Sequence, residues 1–314
     1  MTDITLSPLP DALDEVVPDE RRKSGLVALI GRPNAGKSTL LNRLIGQKIA
    51  AVSDKPQTTR WRIRGILTEE RGQIIFVDTP GIHKPKHQMN VRMMRAVGRA
   101  IEDVDLVLLL VDACESFGSG DRFVLDLVKR AAKPTFLLLN KIDRLADKRT
   151  LLPLIDLYRR EYDFAEVIPI SALTGENLSL LVEKIFEYLP EGPLYYPEGE
   201  ITDQPERVIV AEIIREKLLM VTHDELPYVT AVVTEQFHDE GSLLRIHAII
   251  LVERESQKPI IIGKGGERLK KIGTLAREEI EFLFGKKVFL QLYVKVRERW
   301  RDSEAVLDQI GFER

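Results

Sequence analysis

The chain has 314 residues, of which 44% are hydrophobic and 30% charged, and its single cysteine excludes an intramolecular disulfide or a cysteine-based zinc cluster. This length predicts two domains, and the ordinary apolar fraction argues against wholesale disorder. The 46 basic and 49 acidic residues give a net charge of −3, which taken as a whole argues against a nucleic-acid-binding protein.

The first twenty residues differ in composition from the rest. Residues 1–20 carry six acidic residues and three prolines but no lysine or arginine, which predicts a mobile acidic tail. No stretch of the chain reaches the ~18 consecutive apolar residues of a membrane span, and no apolar secretory segment follows the first methionine. Together with the single cysteine, these features favour a cytoplasmic protein.

Between residues 21 and 190, short apolar runs alternate with helical patterns. The runs cover 26–30, 62–70, 73–78, 106–112, 135–140 and 166–171. The helical patterns cover 39–46, 88–102, 121–131, 150–160 and 175–189. Such alternation is typical of an α/β fold with a mostly parallel sheet buried on both faces. Ligands of these sheets bind at the carboxyl ends of the strands, so we expect the chemistry just after each run.

The strongest motif is GRPNAGKS at 31–38, which follows the first predicted strand and opens the first helix. It matches the G-x-x-x-x-G-K-[S/T] phosphate loop in the strand–loop–helix context that this loop requires. Its glycines let backbone N–H groups face inward, the helix N-terminus adds positive charge, and the serine hydroxyl suits Mg²⁺. The residues expected to contact phosphate are Gly31, Arg32, Pro33, Asn34, Ala35, Gly36, Lys37, Ser38 and Thr39.

A second motif, DTPG at 78–81, ends the third predicted strand. At a strand end, Asp78 can hold Mg²⁺ through a water molecule, and the N–H of Gly81 can meet a γ-phosphate. The tetrapeptide alone is a weak signal, because a proline-containing turn explains it equally well. Its position after a strand is what favours the functional interpretation.

A third motif, NKID at 140–143, follows the apolar run at 135–140. The Asp143 carboxylate can accept two hydrogen bonds from the N1–H and N2–H₂ donors of guanine, a pair that adenine lacks, so such a site rejects ATP. The stem of Lys141 can lie against the purine, and Asn140 can tie this loop to the phosphate loop. The Ala172 N–H, in SAL at 171–173, can reach the base oxygen. The residues expected around the base are Asn140, Lys141, Asp143, Ser171, Ala172 and Leu173.

With these motifs in this order, the sequence resembles the translation-factor-like GTPases. That superfamily places switch I between the phosphate loop and DTPG, where this chain has PQTTR at 56–60. The resemblance implies a threonine that caps the γ-phosphate and Mg²⁺; Thr59 is favoured and Thr58 is the alternative. The implied Mg²⁺ residues are Ser38, Thr59 and Asp78. The implied catalytic residues are Lys37, Thr59, Gly81 and Asn34.

One departure from the Ras-like pattern concerns the residue after Gly81. Ras-like proteins carry a water-orienting glutamine there, whereas this chain has Ile82, which cannot orient water. Hydrolysis must then rely on charge neutralisation by Lys37, Mg²⁺ and another cation. In related GTPases with a hydrophobic residue at this point, a phosphate-loop asparagine like Asn34 helps to bind K⁺. The resemblance therefore implies a slow GTPase that K⁺ stimulates.

The composition changes at 190–206, where four prolines and five acidic residues occur without any lysine or arginine. This stretch predicts a stiff linker, which divides the chain into a GTP-binding domain at 21–190, a linker at 191–206 and a second domain at 207–314. The patterns after it are a helix at 206–220, strand-like runs at 228–236 and 243–252, the apolar piece PIIIG, a helix at 267–284, a strand at 287–296 and a terminal helix.

The second domain contains G-x-x-G at 263–266, between an apolar turn and an amphipathic helix. Over 258–301 the chain has twelve basic and five acidic residues, so a net charge of +7 is concentrated there. The order α-β-β-α-α-β resembles a type II KH domain, which binds single-stranded RNA. The residues that this resemblance implies for RNA are Ile262, Gly263, Lys264, Gly265, Gly266, Arg268, Lys270 and Lys271.

The combination of GRPNAGKS, PQTTR, DTPGIH, NKID and IIIGKGG closely resembles the Era family, bacterial GTPases of small-subunit ribosome assembly, over about residues 21–314. The resemblance implies GTP and GDP as ligands with Mg²⁺, and a monomer whose KH domain binds near the 3′ end of 16S rRNA on the small ribosomal subunit. Some relatives also associate peripherally with the inner membrane. Two alternatives stay open: a membrane-associated cell-cycle signalling GTPase, and a KH RNA-binding module whose G domain only senses GTP.

Overall fold

A computed structural model describes residues 22–53, 55, 58–82, 87–222 and 226–310. The predicted acidic tail, residues 56–57 of the predicted switch I and residues 83–86, which follow Ile82, lie outside these residues.

The N-terminal domain is built on a six-stranded sheet. Its strands are β1 (Lys23–Gly31), β2 (Ile63–Glu69), β3 (Gly72–Asp78), β4 (Leu106–Asp112), β5 (Thr135–Asn140) and β6 (Glu166–Pro169). They lie in the order β2-β3-β1-β4-β5-β6, in which β2 is antiparallel to β3 and the other neighbouring pairs are parallel. The predicted α/β class with a mostly parallel sheet is therefore confirmed.

Helices cover both faces of this sheet. They are α1 (Lys37–Ile45), α2 (Gln88–Glu102), α3 (Ser119–Ala131), α4 (Leu151–Glu161) and α5 (Leu178–Tyr188). Successive strand residues point to opposite faces, so Leu29 packs with α1 and α5 whereas Ile30 packs with α2 and α3. Burial on both faces explains why the central strands are continuous apolar runs.

The C-terminal domain is smaller and has a three-stranded sheet in the order β7-β8-β9. Its elements are α6 (Glu206–Val221), α7 (Leu226–Val229), β7 (Ala231–Asp239), β8 (Leu243–Val252), α8 (Lys258–Ile262), α9 (Glu267–Phe284), β9 (Lys287–Val296) and α10 (Glu304–Gln309). The strand β8 is antiparallel to β7 and parallel to β9. Residues of α6 and α9 form one apolar core with the sheet, as the predicted KH order requires.

Two short segments differ from the sequence prediction. The run expected to be a strand from 228 begins as a strand only at Ala231, because Leu226–Val229 form α7. The apolar piece expected as a turn, PIIIG, contributes to the helix α8. A proline lies in the first turn of each helix, at 227 and 259, where its missing N–H leaves no intrahelical hydrogen bond unmade.

The segment at 191–206, expected as a linker, packs along the edge of the first sheet. The Ile66 N–H donates to the carbonyl oxygen of Ile201 over 2.9 Å, and the Thr202 hydroxyl donates to the carbonyl oxygen of Arg64 over 2.6 Å. It thereby covers β2, the edge strand, whose backbone groups would otherwise lack partners in the sheet.

A contact region at α2 joins the two domains. Arg92, which is buried, pairs with Glu304 and Asp308 of α10. Trp300 is fully buried in a cluster with Met93 and donates its indole N–H to the carbonyl oxygen of Val229 over 2.9 Å. The domains therefore share an apolar and ionic interface in addition to the chain that connects them.

Candidate functional site

The phosphate loop at 31–38 connects β1 to α1 and borders a cavity of about 410 Å³. Gly36 precedes α1 with φ of 98°, a left-handed conformation that glycine adopts without steric cost. A Cβ atom there would also lie 2.2 Å from Nδ2 of Asn140, so the approach of the two loops requires glycine. The phosphate-loop residues that line the cavity, with the first turn of α1, are Pro33, Asn34, Gly36, Lys37, Ser38 and Thr39.

Lys37 is the buried cation of this loop. Its Nζ donates to the carbonyl oxygens of Gly31 and Arg32, at 3.3 and 3.2 Å. Burial lowers the pKa of its ammonium group, and the negative charge of Asp78 opposes that shift. Arg32 does not line the cavity itself: its guanidinium group pairs with Asp121 and with the cavity residue Glu115, each at 3.2 Å, and its carbonyl oxygen accepts from Lys37.

Two hydroxyl groups converge on Asp78, at the end of β3. The Ser38 hydroxyl donates to Oδ2 of Asp78 over 2.7 Å and lies 2.8 Å from the Thr59 hydroxyl. Thr58 instead donates its hydroxyl to the carbonyl oxygen of Lys55 over 2.6 Å. The geometry thus places Thr59, and not Thr58, beside Ser38 and Asp78.

The surroundings of Asp78 fit a divalent cation. Asp78 is fully buried, and its Oδ1 has no hydrogen-bond partner among the residues that the structure describes. Burial raises the pKa of its carboxyl group, while Lys37 and the hydroxyls of Ser38 and Thr59 oppose the rise. An unpaired buried carboxylate oxygen is costly, and a hard cation with oxygen ligands would satisfy it. The residues present therefore suit Mg²⁺.

Asn140, at the end of β5, joins the phosphate loop to the predicted base loop. Its Nδ2 donates to the carbonyl oxygen of Ala35 over 2.8 Å, and its Oδ1 accepts from the Ala172 N–H over 2.9 Å. The first bond agrees with the predicted role of Asn140. The second shows that the Ala172 N–H also bonds to the side chain of Asn140, and its contact with the base oxygen stays a prediction.

The remaining base-loop residues surround the end of β5. Lys141 adopts φ of 69° and its Nζ pairs with Asp112 at 2.6 Å. The Asp143 carboxylate accepts a hydrogen bond from the Ser171 hydroxyl over 2.5 Å. Leu173 is 70% exposed, as expected for an apolar side chain whose partner would be a ligand.

Gly81 brings the loop after β3 against the phosphate loop. A Cβ atom on Gly81 would lie 2.9 Å from Cα of Pro33, so only glycine permits this approach. The next residue, Ile82, is buried and its N–H donates to the carbonyl oxygen of Gly31 over 3.3 Å. Its side chain packs in the core with Val77, so it has no group that could orient water.

Sequence reasoning missed six residues that line the cavity, namely Ala51, Val52, Ser53, Asp112, Glu115 and Arg144. Asp112 ends β4, so the rule that ligands bind at the carboxyl ends of strands could have identified it. Glu115 and Arg144 lie in loops after β4 and β5, where only the tertiary structure shows which side chains face the cavity.

The second candidate site is the glycine loop between α8 and α9. Gly263, Gly265 and Gly266 all have positive φ, at 77°, 59° and 83°. Arg268 supports this loop by donating to the carbonyl oxygen of Ile260, and Ile262 is partly buried against the domain core. Two predicted RNA residues therefore shape the loop from behind, whereas Lys264, Lys270 and Lys271 are exposed.

An open groove of about 410 Å³ runs from this loop along α9 to β9. Its lining residues are Gly266, Leu269, Lys270, Gly273, Thr274, Arg277, Leu290 and Leu292. Only Gly266 and Lys270 were predicted from the sequence. The helical spacing of 266, 269, 270, 273 and 277 could have identified the others on α9, since these positions share one face.

A phosphate loop with a switch threonine, followed by an αββααβ domain with a glycine loop, defines a P-loop GTPase that carries a type II KH domain. Residues 26–141 match the family described as "50S ribosome-binding GTPase", and residues 225–301 match the KH domain family. The GTPase Era of Trichlorobacter lovleyi is 51% identical over 296 residues, which cover 94% of this chain and 99% of that protein.

Two crystal structures are similar over 93% of this chain and 100% of theirs, each with 41% identity and a TM-score of 0.90. One is a variant of Aquifex aeolicus Era bound to GDP·AlF₄⁻, and the other is Era in complex with MgGDPNP and nucleotides 1506–1542 of 16S ribosomal RNA. The chain belongs to the Era family of GTPases, which confirms the predicted family and enzyme class. Among its described helices, none combines the length and apolar character needed to cross a membrane.

Proposed function

We propose that this chain is a GTP-hydrolysing switch that binds the 3′ end of 16S rRNA and assists assembly of the small ribosomal subunit. The observation that supports it most is the presence, in one chain, of a phosphate-loop cavity and a glycine-loop groove. A similar protein of the same domain order binds MgGDPNP and 16S rRNA nucleotides. We further propose that it acts as a monomer in the cytoplasm.

At the nucleotide cavity, we assign the phosphates to the phosphate loop and Lys37, and Mg²⁺ to Ser38, Thr59 and Asp78. Mg²⁺, when bound, supplies charge neutralisation at the β- and γ-phosphates. Lys37 adds a second positive charge. The Gly81 N–H can donate to the γ-phosphate and change conformation when the γ-phosphate leaves. Because Ile82 cannot orient water, this arrangement supports a slow intrinsic rate.

We propose a K⁺ ion as the further positive charge at this cavity. Asn34, with φ of 64°, lines the cavity and carries an amide oxygen of the kind that K⁺ binds. GTP hydrolysis should be faster in KCl than in NaCl, and Asn34→Gly, which keeps the backbone conformation, should remove the difference. Equal turnover of the native chain in both salts, with and without RNA, would rule out the proposed ion.

We assign 16S rRNA to the groove beside the glycine loop. Positive φ at all three glycines lets a nucleic-acid backbone approach closely, and exposed lysines neutralise its phosphates. Gly265→Asp tests the assignment: no atom lies within 4 Å of a Cβ there, so its effects are the added charge and the backbone strain of a side chain at φ of 59°. Gly241→Asp is the matched control, since Gly241 has φ of 83°, equally open surroundings and a place in the turn between β7 and β8.

The experiment is binding of 16S 3′-end RNA to the native chain, Gly265→Asp and Gly241→Asp, each with GTP and with GDP. We expect Gly265→Asp alone to lose affinity, and the native chain to distinguish GTP from GDP. An unchanged affinity of Gly265→Asp would contradict the groove assignment, and equal affinities in GTP and GDP would contradict the switch.

The proposed location is tested separately by lipid flotation with and without RNA. A chain that stays with RNA and does not float supports the cytoplasmic proposal, and flotation would indicate peripheral attachment to the inner membrane.

A further inference from the structure

The described residues of the segment 52–60, which includes Thr59 of the predicted switch I, contact α6 of the KH domain. The Val52 N–H donates to Oε2 of Glu216 over 2.8 Å. The Lys55 ammonium group donates to the carbonyl oxygens of Leu219 and Thr222, at the end of α6. This segment is therefore held by a helix that belongs to the other domain.

Arg215 forms the contact of α6 that lies nearest to the predicted Mg²⁺ site. Its side chain is 1% exposed, and its guanidinium group donates to both carboxylate oxygens of Glu212, with Nε at 2.7 Å from Oε1. Such a paired arrangement fixes the plane of the guanidinium group. Nη2, held in that plane, donates to the carbonyl oxygen of Thr58.

The contact to Thr58 restricts Thr59, because the peptide bond between them is planar. The residue on the other side is held as well: Nη1 of Arg60 donates to the carbonyl oxygen of Thr230 over 2.6 Å, and its guanidinium group lies over the Trp300 ring. Thr59 thus stands between two residues that are bonded to the C-terminal domain, while its own hydroxyl faces the nucleotide cavity.

We propose that Arg215 is a positioning residue for GTP hydrolysis: from the KH domain, it holds the Thr58 carbonyl and thereby orients the Thr59 hydroxyl towards Ser38 and Asp78. This inference rests on the GTPase function proposed above. It makes the KH domain part of the hydrolytic site within the same chain. Loss of the contact leaves the phosphate loop and base loop intact but allows the switch threonine to move.

Replacement of Arg215 alone would take from the buried Glu212 its hydrogen-bonded partner, which is strongly destabilising. The main variant is therefore Arg215→Met with Glu212→Gln, which removes both charges and keeps similar volumes. Arg215→Lys is the second variant, since one ammonium group cannot reproduce the two-pronged contact with Glu212 and also reach Thr58. Arg207→Met is the matched control, because Arg207 is exposed on the same helix.

The measurements are the turnover number for GTP hydrolysis, the Mg²⁺ concentration for half-maximal turnover, and the affinity for GDP. We expect the turnover of the Arg215 variants to fall about 10- to 100-fold, because small misplacements of catalytic groups cause losses of this size. The Mg²⁺ requirement should rise, GDP affinity should stay within about twofold because the phosphate loop is untouched, and Arg207→Met should behave like the native chain.

Thr59→Ala separates positioning from a structural role. If Arg215 acts through Thr59, the Arg215 replacement should reduce the turnover of Thr59→Ala no further. Independent, multiplicative losses, or a loss of GDP affinity equal to that of turnover, would overturn the proposal. If the native chain hydrolyses GTP and the Arg215 variants have the same turnover, only the role of Arg215 is refuted. A native chain without GTPase activity would refute the proposed function itself. If the double replacement does not fold, Arg215→Lys decides by the same readouts.

Discussion

Asn140→Ala removes a side chain that joins two loops of the nucleotide cavity. The amide of Asn140 bonds to the carbonyl oxygen of Ala35 and the N–H of Ala172, and the residue is only 1% exposed. After the replacement, both backbone groups lack a partner in buried surroundings, at a cost of about 1–3 kcal/mol each. We therefore expect the two bonds together to contribute about 2–6 kcal/mol to the order of this site.

That loss should weaken nucleotide binding, because binding must then restore the arrangement of the two loops. At about 1.4 kcal/mol for each tenfold change, a loss of about 2 kcal/mol corresponds to a roughly 30-fold higher Kd for GDP. The assay is titration with a fluorescent GDP analogue in the presence of Mg²⁺, together with urea unfolding of the nucleotide-free protein.

Gln73→Ala is the matched control. Gln73 is also a fully buried amide with several backbone partners, among them the N–H groups of Tyr195 and Tyr196 at 2.9 Å each, but it lies at the opposite end of β3 from Asp78. The Gln73→Ala variant should be less stable to urea but keep its GDP affinity. If Asn140→Ala also keeps its affinity within about threefold and loses only stability, the reasoning about the two loops is wrong.

Three further predictions concern specificity, packing and pH. Asp143→Asn replaces an acceptor by a donor, so GDP affinity should fall about tenfold or more while affinity for xanthosine diphosphate rises in the same titration. If the affinities for both nucleotides change in the same direction, the assignment of Asp143 to the base is wrong. Trp300→Ala should lower the free energy of unfolding by about 3–5 kcal/mol in urea, because the ring is fully buried between the domains; a loss below about 1 kcal/mol would mean that the ring contributes little there. Burial raises the pKa of Glu279, but hydrogen bonds from Lys217 and Lys48 outweigh it and hold this pKa below its usual value of 4.5. The stabilisation by ionised Glu279 is complete above about pH 4.5 and disappears as the pH falls through the folded-state pKa. The loss in free energy of unfolding caused by Glu279→Gln, measured in urea, should therefore shrink towards about pH 3. A loss that stays constant with pH would contradict this prediction.

The long elements of the fold could be predicted from the sequence. The helices at 88–102 and 267–284 and the strand at 106–112 begin and end at the predicted residues, because each has an apolar pattern with a clear period and polar ends. The short helices α7 and α8 could not be predicted, since four or five residues are too few to show a helical period. The segment at 191–206 has the composition of a linker, and only its backbone partners on β2 show that it packs along a sheet.

The predicted nucleotide-site residues line the cavity mainly where they are near neighbours in the chain. The phosphate loop and NKID are contiguous, so their spacing carries their geometry. Asp112 and Glu115 line the same cavity but come from another strand end, and the groove residues on β9 reach the glycine loop through folding of the KH domain.

The charge of the chain also shows which features are local in the sequence and which depend on folding. A net charge of −3 argued against nucleic acid, yet the stretch at 258–301 carries +7 and contains the glycine loop. The sum over the chain therefore concealed a local patch, which was visible only from its distribution along the sequence. The structure then shows that part of this patch supports the loop from behind, as Arg268 does, and part faces the groove, as Lys270 and Arg277 do.

By itself, the sequence determined the fold class and the family, and it predicted the phosphate loop and the guanine-binding motif, because hydrophobic period and contiguous motifs are local properties of the chain. The tertiary structure alone decided which threonine meets Asp78, where Ala172 donates its N–H, and that α6 holds switch I. Arg215 and Thr58 are 157 positions apart, and a contact between a buried guanidinium group and a backbone carbonyl has no pattern along the chain. Such a contact exists only once both domains have folded and docked.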